Sequence, residues 1–526
     1  SNDAVNFLNS AIGAKAARFR TIIIIAAIGV FCGASMSNGM MDIARHGIFR
    51  PEQFYFYELM YVFLAVMVTD IVLLDIFNSL GMPTSTTVSM VFELLGASFA
   101  LALVKLASDT TGLTFAELLN TEKALSVILG IFLSVAIAFF FGALVQYISR
   151  IIFTFNYKSK MRWKAGLFGG IAVTAIIYFM LIKGVKDLSF MTAENKAFIH
   201  DHTALILGGC LVFFTVLMQI LHWCKVNVFK VVVLVGTFSL AMAFAGNDLV
   251  NFIGVPLAGY SSYQDYMSNG AGDPTGFLMG SLNGPAKTPL FFLIAAGAIM
   301  VFSLATSKKA HNVVKTSVDL SRQDTGDEVF GSSRVARSLV RWFTSVSAWV
   351  VDVTPERVRL WINSRFNQDE VQIENGAAFD LVRASINLVL AGLLIAMGTS
   401  LKLPLSTTYV TFMVAMGTSL ADRAWGRESA VFRITGVLSV VGGWFITAGA
   451  AFLIAFAIAL IMYFGGVWAA IAIVVLGVGI LIRSNIVYRK KSKTEKKDTI
   501  FYDMLATKDK EQVWTFLHRQ IVEHSS

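Results

Sequence analysis

The sequence predicts an all-α, polytopic membrane protein with about twelve transmembrane elements in two repeats of inverted topology. The first observation is composition: of 526 residues, 56% are hydrophobic and 15% are charged, which is too apolar for a water-soluble domain. The second is that the apolar residues lie in runs of about 20, the length that crosses a bilayer. The third is that two polar motifs each occur twice, which indicates an internal duplication.

The apolar segments follow one another along the whole chain. They cover residues 21–41, 54–78, 84–105, 124–148, 165–184, 203–223, 229–258, 287–305, 377–400, 404–421, 434–463 and 466–485. Residues 150–164 hold five basic side chains and no acid, so we place this loop in the cytoplasm, together with 308–365 and the tail from Arg489. With these anchors, the two copies of the first motif cross the membrane in opposite directions, as the repeats of many secondary transporters do.

Three basic residues depart from this charge rule. The predicted arrangement of spans places Arg45, His46 and Arg50 on the outer side of the membrane. Positive charge is usually concentrated on the cytoplasmic side, so these residues are the weak point of the predicted topology.

The chain divides into six predicted parts. The two motifs lie 76 residues further apart in the second half than in the first, and a polar, charged stretch accounts for the difference. The parts are a first transmembrane repeat (1–148), linking helices (149–228), the first part of the second repeat (229–305), a cytoplasmic loop insertion (306–376), the rest of the second repeat (377–485) and a soluble cytoplasmic tail (486–526).

The first motif is Asn-Asp-x-Val-Asn-Phe, at residues 2–7 and 247–252. An Asp in a span costs about 2.5–3.5 kcal/mol on insertion scales, so it is seldom there without a use. Amide and carboxylate oxygens together suit a small, hard cation. Nearby glycines and Pro256 would let the helix break and free carbonyls as ligands. The residues predicted to bind the cation, and to contribute to the anion site, are Asn2, Asp3, Asn6, Asn247, Asp248 and Asn251. The alternative is that they only join helices to one another.

The second motif is Pro-x-Ser-Thr-Thr, at residues 83–87 and 404–408, and its flanks also match, with Gly96 and Gly417 equally far beyond it. Pro and Ser favour the start of a helix, where free N–H groups attract anions. Two such re-entrant hairpins facing each other would hold a tetrahedral oxyanion without Arg or Lys. The predicted anion-binding residues are Ser85, Thr86, Thr87, Ser406, Thr407 and Thr408. In the alternative, the hydroxyls bond back to their own helices.

The two motifs together imply coupling. An anion close to Asp3 and Asp248 would be repelled in a low dielectric unless a cation or proton arrived with it. Glu93, which has the apolar Val414 at the equivalent position of the second repeat, is either a proton carrier or a paired structural residue.

The duplicated motifs resemble those of the inorganic phosphate transporter (PiT) family, which has an Asn-Asp signature and a Ser-Thr-Thr hairpin in each half. The resemblance covers residues 1–305 and 377–485. It implies a multi-pass phosphate symporter of the bacterial inner membrane, driven by Na⁺ or H⁺, with no cofactor and no metal beyond the coupling cation. Phosphate, that cation and lipid are the expected partners, and a homodimer is an expected assembly. We also expect a further helix before Ser1.

The sequence departs from that family where its histidine after Ser-Thr-Thr is Val88 and Tyr409, and where an acid is missing near Cys32. These departures leave the driving ion and the anion open. A permease for sulfate or another tetrahedral oxyanion is the main alternative. A membrane receptor and an intramembrane aspartyl protease are remote alternatives. A protease dyad needs two carboxylates that share a proton.

The net charge of the chain is +9, and the basic residues lie in loops, so nucleic-acid binding is not expected. Enzymatic activity is not expected either.

Overall fold

The computed structural model describes residues 5–506 apart from 36, 38–40, 81, 109–111, 161, 179–192, 271, 285, 287, 307, 324–332, 339, 342–344, 346–353, 368–372, 374–376, 402–404 and 425–428. Asn2, Asp3, Pro404 and the end of the predicted tail, from residue 507, therefore lie outside the described residues.

Helices make up almost all of the described chain. In chain order they are α1 (Val5–Gly13), α2 (Phe19–Ser35), α3 (Phe56–Leu80), α4 (Thr86–Ala107), α5 (Phe115–Leu118), α6 (Thr121–Phe153), α7 (Tyr157–Lys160), α8 (Arg162–Ile177), α9 (Ala193–Asp201), α10 (Thr203–Trp223), α11 (Val228–Asn269), α12 (Leu290–Thr306), α13 (Lys308–Leu320), α14 (Glu356–Arg365), α15 (Leu381–Ser400), α16 (Thr407–Ala421) and α17 (Ser429–Ala506). No β-strand occurs among the described residues, which confirms the all-α prediction.

Eleven of these helices cover the twelve predicted spans. The last two predicted spans lie in one helix, α17, which bends at Gly466, where φ is 63°. Within the described ranges, seven helices are long and apolar enough to cross a membrane: α3, α4, α6, α10, α11, α15 and the 430–488 part of α17. Three further apolar helices, α2, α12 and most of α8, are shorter. The protein is therefore a polytopic membrane protein, as predicted.

The chain forms two compact units, Ser1–Ala470 and Ile471–Ser526. Both polar motifs belong to the first unit. The sequence places the start of a soluble tail at residue 486, but α17 continues past that point to Ala506.

The helix break predicted beside Asp248 does not occur. Helix α11 runs unbroken through Asp248 and Pro256 to Asn269. A proline removes one hydrogen bond and kinks a helix without ending it when neighbouring helices support both sides, and α11 packs along α2 and α15. The first copy behaves differently, because α1 ends at Gly13 and residues 14–18 are not helical before α2 begins.

Corresponding glycines make corresponding contacts in the two repeats. A Cβ at Gly96 of α4 would overlap the carbonyl oxygen of Phe452 in α17. A Cβ at Gly417 of α16 would overlap the carbonyl oxygen of Phe139 in α6. Small residues let membrane helices approach backbone to backbone. Each Ser-Thr-Thr helix therefore packs closely against a long neighbouring helix through a glycine at the same position of the repeat.

The predicted loop insertion begins with a helix that packs inside the protein. Helix α13 lies against α1, and Val313 and Val314 are buried there. Nδ2 of Asn9 in α1 donates a hydrogen bond to Oγ of Ser317 at 3.1 Å, and both side chains are buried. The insertion thus supports the short helix that carries Asn6.

A buried ion network joins α6 to α15 and α16. The guanidinium of Arg150 lies 2.7 Å from Asp380, the residue before α15, and 2.6 Å from Asp422, the residue after α16. Gln146 also donates to Asp422, at 2.8 Å. All four side chains are buried, so the network fixes one end of these three helices.

Candidate functional site

Each Ser-Thr-Thr segment starts a helix. Ser85 precedes α4 and its hydroxyl oxygen accepts the Val88 amide at 3.2 Å. Ser406 precedes α16 and accepts the Tyr409 amide at 3.1 Å. A side chain that caps a helix in this way leaves other N–H groups of the first turn unpaired within the helix, and they carry the positive end of the helix dipole. The structure thus gives both segments the local geometry that the sequence predicts.

Both helix starts meet at Asp248 in the middle of α11. The hydroxyl of Thr87 donates to Oδ1 of Asp248 at 3.0 Å, and the hydroxyl of Thr407 donates to Oδ2. The carboxylate is completely buried. Residues 320 apart in sequence therefore hydrogen-bond to one carboxylate, and the two turns share one site.

Two amides of the same motif also donate to Asp248. Nδ2 of Asn247 lies 2.9 Å from Oδ1, and Nδ2 of Asn251 lies 3.1 Å from the same oxygen. Asn247, Asp248 and Asn251 can act together because an unbroken helix places residues three or four apart on one face. The two hydroxyls and two amides are neutral groups, so they moderate the charge of the carboxylate only by hydrogen bonding.

The asparagines pair crosswise between the repeats. Asn251 of the second repeat donates to Thr86 at 3.0 Å and Thr87 at 2.9 Å in the first. Asn6 of the first repeat donates to Thr407 at 2.9 Å and Thr408 at 3.2 Å in the second. Asn6 and Asn251 occupy the same position of the duplicated motif. Each repeat therefore holds the Ser-Thr-Thr turn of the other, in a pseudo-two-fold arrangement.

Three groups around the site were not identified from the sequence. The backbone carbonyl of Leu405 accepts from Asn247 at 2.8 Å, and Thr399 donates to Oδ1 of Asn247 at 3.3 Å. Thr411 donates to Oδ1 of Asn6 at 3.2 Å. The position of Thr411, four residues after Thr407 and so on the same helix face, is a signal that would have found it. Backbone carbonyls give no such signal.

Helix α17 contacts both Ser-Thr-Thr turns. The ring of Tyr409 stacks on Trp444 with centroids 3.7 Å apart, and Trp444 donates its indole N–H to the carbonyl of Pro83 at 3.3 Å. The hydroxyls of Thr84 and Thr447 lie 3.0 Å apart. The aromatic residue that follows the second Ser-Thr-Thr thus packs against a scaffold shared with the first.

Glu93 lies further along α4 and is fully buried. Its Oε1 accepts the hydroxyl of Ser89 at 2.7 Å. The described contacts of Glu93 do not include the Ser-Thr-Thr residues, so its role as a proton carrier stays a prediction.

The comparisons with known proteins agree with this geometry. The profile of a phosphate transporter family matches residues 1–317, which contain the first Ser-Thr-Thr segment and both copies of the Asn-Asp motif. The chain belongs to this phosphate transporter family. The transporter also resembles a solved structure described as "The sodium-dependent phosphate transporter", with a TM-score of 0.60 and 18% identity over 88% of this chain and 94% of that one. This likeness shows the fold, and it extends over the second repeat. No curated protein matches the chain.

Family membership confirms the resemblance seen in the motifs. The chain is a membrane-embedded transporter, and phosphate is its substrate.

Proposed function

We propose that this transporter is a cation-coupled symporter that moves inorganic phosphate by alternating access. The observation that supports this most directly is the meeting of two helix starts at one buried carboxylate, Asp248. Hydroxyls and helix N–H groups suit a tetrahedral anion, whereas the carboxylate suits a cation. In this proposal, the residues that bind phosphate are Ser85, Thr86, Thr87, Ser406, Thr407 and Thr408. The residues that bind the coupling cation, and also contribute to the phosphate site, are Asn2, Asp3, Asn6, Asn247, Asp248 and Asn251.

The hydroxyls that touch Asp248 supply a physical route for coupling. A hydroxyl has one proton to donate and two lone pairs. The protons of Thr87 and Thr407 point to the Asp248 carboxylate. A cation bound there would neutralise the carboxylate and would be coordinated by the lone pairs of the two hydroxyl oxygens. The hydroxyl protons would then be free to donate to phosphate. Cation binding would therefore create the anion site, and without the cation the carboxylate both repels phosphate and occupies its donors.

The crosswise pairing suggests how access alternates. Asn6 and Asn251 each hold the turn of the opposite repeat, so the two halves are joined at the substrate site itself. Rocking of one repeat against the other about this centre would expose the site to each side in turn.

We propose sodium as the coupling ion. The oxygen-rich surroundings of Asp248, made of carboxylate, carbonyl and hydroxyl groups, suit a hard cation. The structural neighbour is described as sodium-dependent. We further propose a location in the bacterial inner membrane, assembly as a homodimer, and no enzymatic activity.

Transport measured in proteoliposomes tests this function. Uptake of ³²P-phosphate is followed under an inward sodium gradient, an inward proton gradient, and no gradient. The expected result is accumulation driven by sodium and abolished by a sodium ionophore. Accumulation driven only by the proton gradient would replace sodium by protons, whereas sodium-driven accumulation of sulfate at the same rate would contradict selectivity for phosphate.

A further inference from the structure

A small cavity lies along α11, beyond the candidate site. It measures about 80 Å³ and its polar lining comprises Arg45, Tyr260, Ser261, Gln264 and Thr288. Gly254, which also lines the cavity, comes one turn after Asn251 on α11. Ser261 and Gln264 follow about two and three turns later. The cavity therefore lies about one to three helical turns beyond Asn251 along α11.

Arg45 gives the cavity a positive charge. Its guanidinium donates to the backbone carbonyls of Ser281 and Leu282, each at 3.4 Å. An arginine offers five N–H donors in a fixed fork and stays protonated, so two long bonds to carbonyls leave it able to bind an oxyanion. Half-burial of the side chain strengthens such an interaction relative to bulk water.

The ionisable neighbours of Arg45 are not among the described residues that line the cavity. Asp42 is the nearby acid, and its Oδ1 accepts the backbone amide of Ala286 at 2.8 Å. His46 is neutral near pH 7, because burial and the adjacent Lys123 lower its pKa. Lys123 adds a second cation beside this segment. Among the described residues that line the cavity, Arg45 is therefore the only charged one, and its charge is positive, as an anion requires.

We propose that this cavity is an outer oxyanion-binding site, which phosphate occupies before it reaches the Ser-Thr-Thr turns. The inference rests on the proposed phosphate symport and on the predicted topology, which places the Arg45 segment outside. It also accounts for positive charge on the side of the membrane where such charge is usually sparse. Clefts lined by one sign of charge raise local substrate concentration and association rates about 10- to 1,000-fold.

Transport kinetics of three variants test the site. Arg45→Gln removes the charge, Arg45→Lys keeps it, and Arg50→Gln removes an exposed charge from the same segment. For Arg45→Gln we expect kcat/KM for phosphate to fall about tenfold, mainly through KM, and the deficit to shrink as ionic strength rises. Arg45→Lys should lose much less and Arg50→Gln should resemble the unsubstituted protein. Equal kinetics for Arg45→Gln and the unsubstituted protein, or an equal loss in Arg50→Gln, would overturn the proposal.

A labelling experiment gives a readout that does not depend on transport. Ser261→Cys is made in a background without Cys32, Cys210 and Cys224, and is treated with a membrane-impermeant thiol reagent from one side at a time. We expect labelling from the outside and its slowing by inorganic phosphate, with less slowing when Arg45→Gln is added. Labelling from the inside alone, or labelling indifferent to phosphate, would contradict the outer site. If the unsubstituted protein does not move phosphate, the proposed symport fails, and protection of the Ser261→Cys thiol by phosphate still decides whether this cavity binds the anion.

Discussion

At the scale of single residues, the chemistry of the site depends on Asp248. Its carboxylate is fully buried and is reached by hydroxyls of both Ser-Thr-Thr turns. We expect Asp248→Asn to abolish ion-driven uptake while the protein still inserts, because the amide keeps the shape and loses the charge that the cation balances. Uptake in proteoliposomes measures this. Asp75→Asn is the matched control, an acid of α3 that belongs to neither motif. Near-normal ion-stimulated uptake by Asp248→Asn would remove the cation role.

The same reasoning applies to Asp3, which lies outside the described residues. By the duplication it corresponds to Asp248, so Asp3→Asn should also abolish coupled uptake. The two variants need not lose uptake to the same extent, because α1 ends at Gly13 whereas α11 continues unbroken past its copy of the motif.

The threonine hydroxyls are expected to bind phosphate directly. Thr87→Val and Thr407→Val keep the shape of the side chain and remove the hydroxyl. A hydrogen bond to a charged group contributes about 1.5–3 kcal/mol, so each variant should weaken phosphate binding by about tenfold or more. Calorimetry in the presence of sodium measures this. The control is Thr237→Val, a buried threonine of α11 whose hydroxyl bonds its own helix at 2.8 Å, and an equal loss there would show that the effect is structural.

At the scale of helices, the Arg150 network decides how α6, α15 and α16 are held together. Removing one partner of a buried ion pair leaves an uncompensated charge and costs about 3–5 kcal/mol. We therefore expect Arg150→Leu to lower the unfolding temperature in detergent sharply, since Asp380 loses its ion pair and Asp422 keeps only the longer contact with Arg383, at 3.5 Å. Arg357→Gln, at an exposed position of α14, should leave the temperature unchanged. An unchanged unfolding temperature for Arg150→Leu would contradict the stabilising role of the network.

Helix pairing also explains why the two copies of the first motif look different. In the second copy α11 is continuous and is packed by α2 and α15, whereas in the first copy the short α1 is supported by α13 from the insertion. The two copies of the same polar motif therefore reach the site from two different local structures.

At the scale of the whole molecule, coupling should appear as linkage between two ligands. We expect phosphate binding to purified protein to be weak without sodium and to strengthen markedly when sodium is added, because the neutralised carboxylate releases its hydroxyl donors. Linkage requires phosphate to raise sodium affinity by the same factor. Isothermal calorimetry measures both directions, and tight phosphate binding that is indifferent to sodium would contradict coupling at Asp248.

Selectivity follows from the same site. Arsenate keeps the tetrahedral shape and the protonation pattern of phosphate, so it should compete well for binding. Sulfate has no proton to donate to a carboxylate at neutral pH, so it should compete poorly. Competition against labelled phosphate measures both, and equal competition by sulfate would favour the alternative of a sulfate permease.

The sequence by itself determined the class of protein, the position of nearly every span and most of the described residues that meet at Asp248. Apolar run length and duplicated motifs are local properties, because a bilayer imposes the same length and polarity on every helix that crosses it. Only the tertiary structure decided that Asn6 pairs with Thr407 and Asn251 with Thr86, that α11 stays unbroken, and that Arg150 meets two distant acids. Such contacts depend on how separate helices pack, and no pattern within one helix encodes the neighbour that will satisfy its polar side chains.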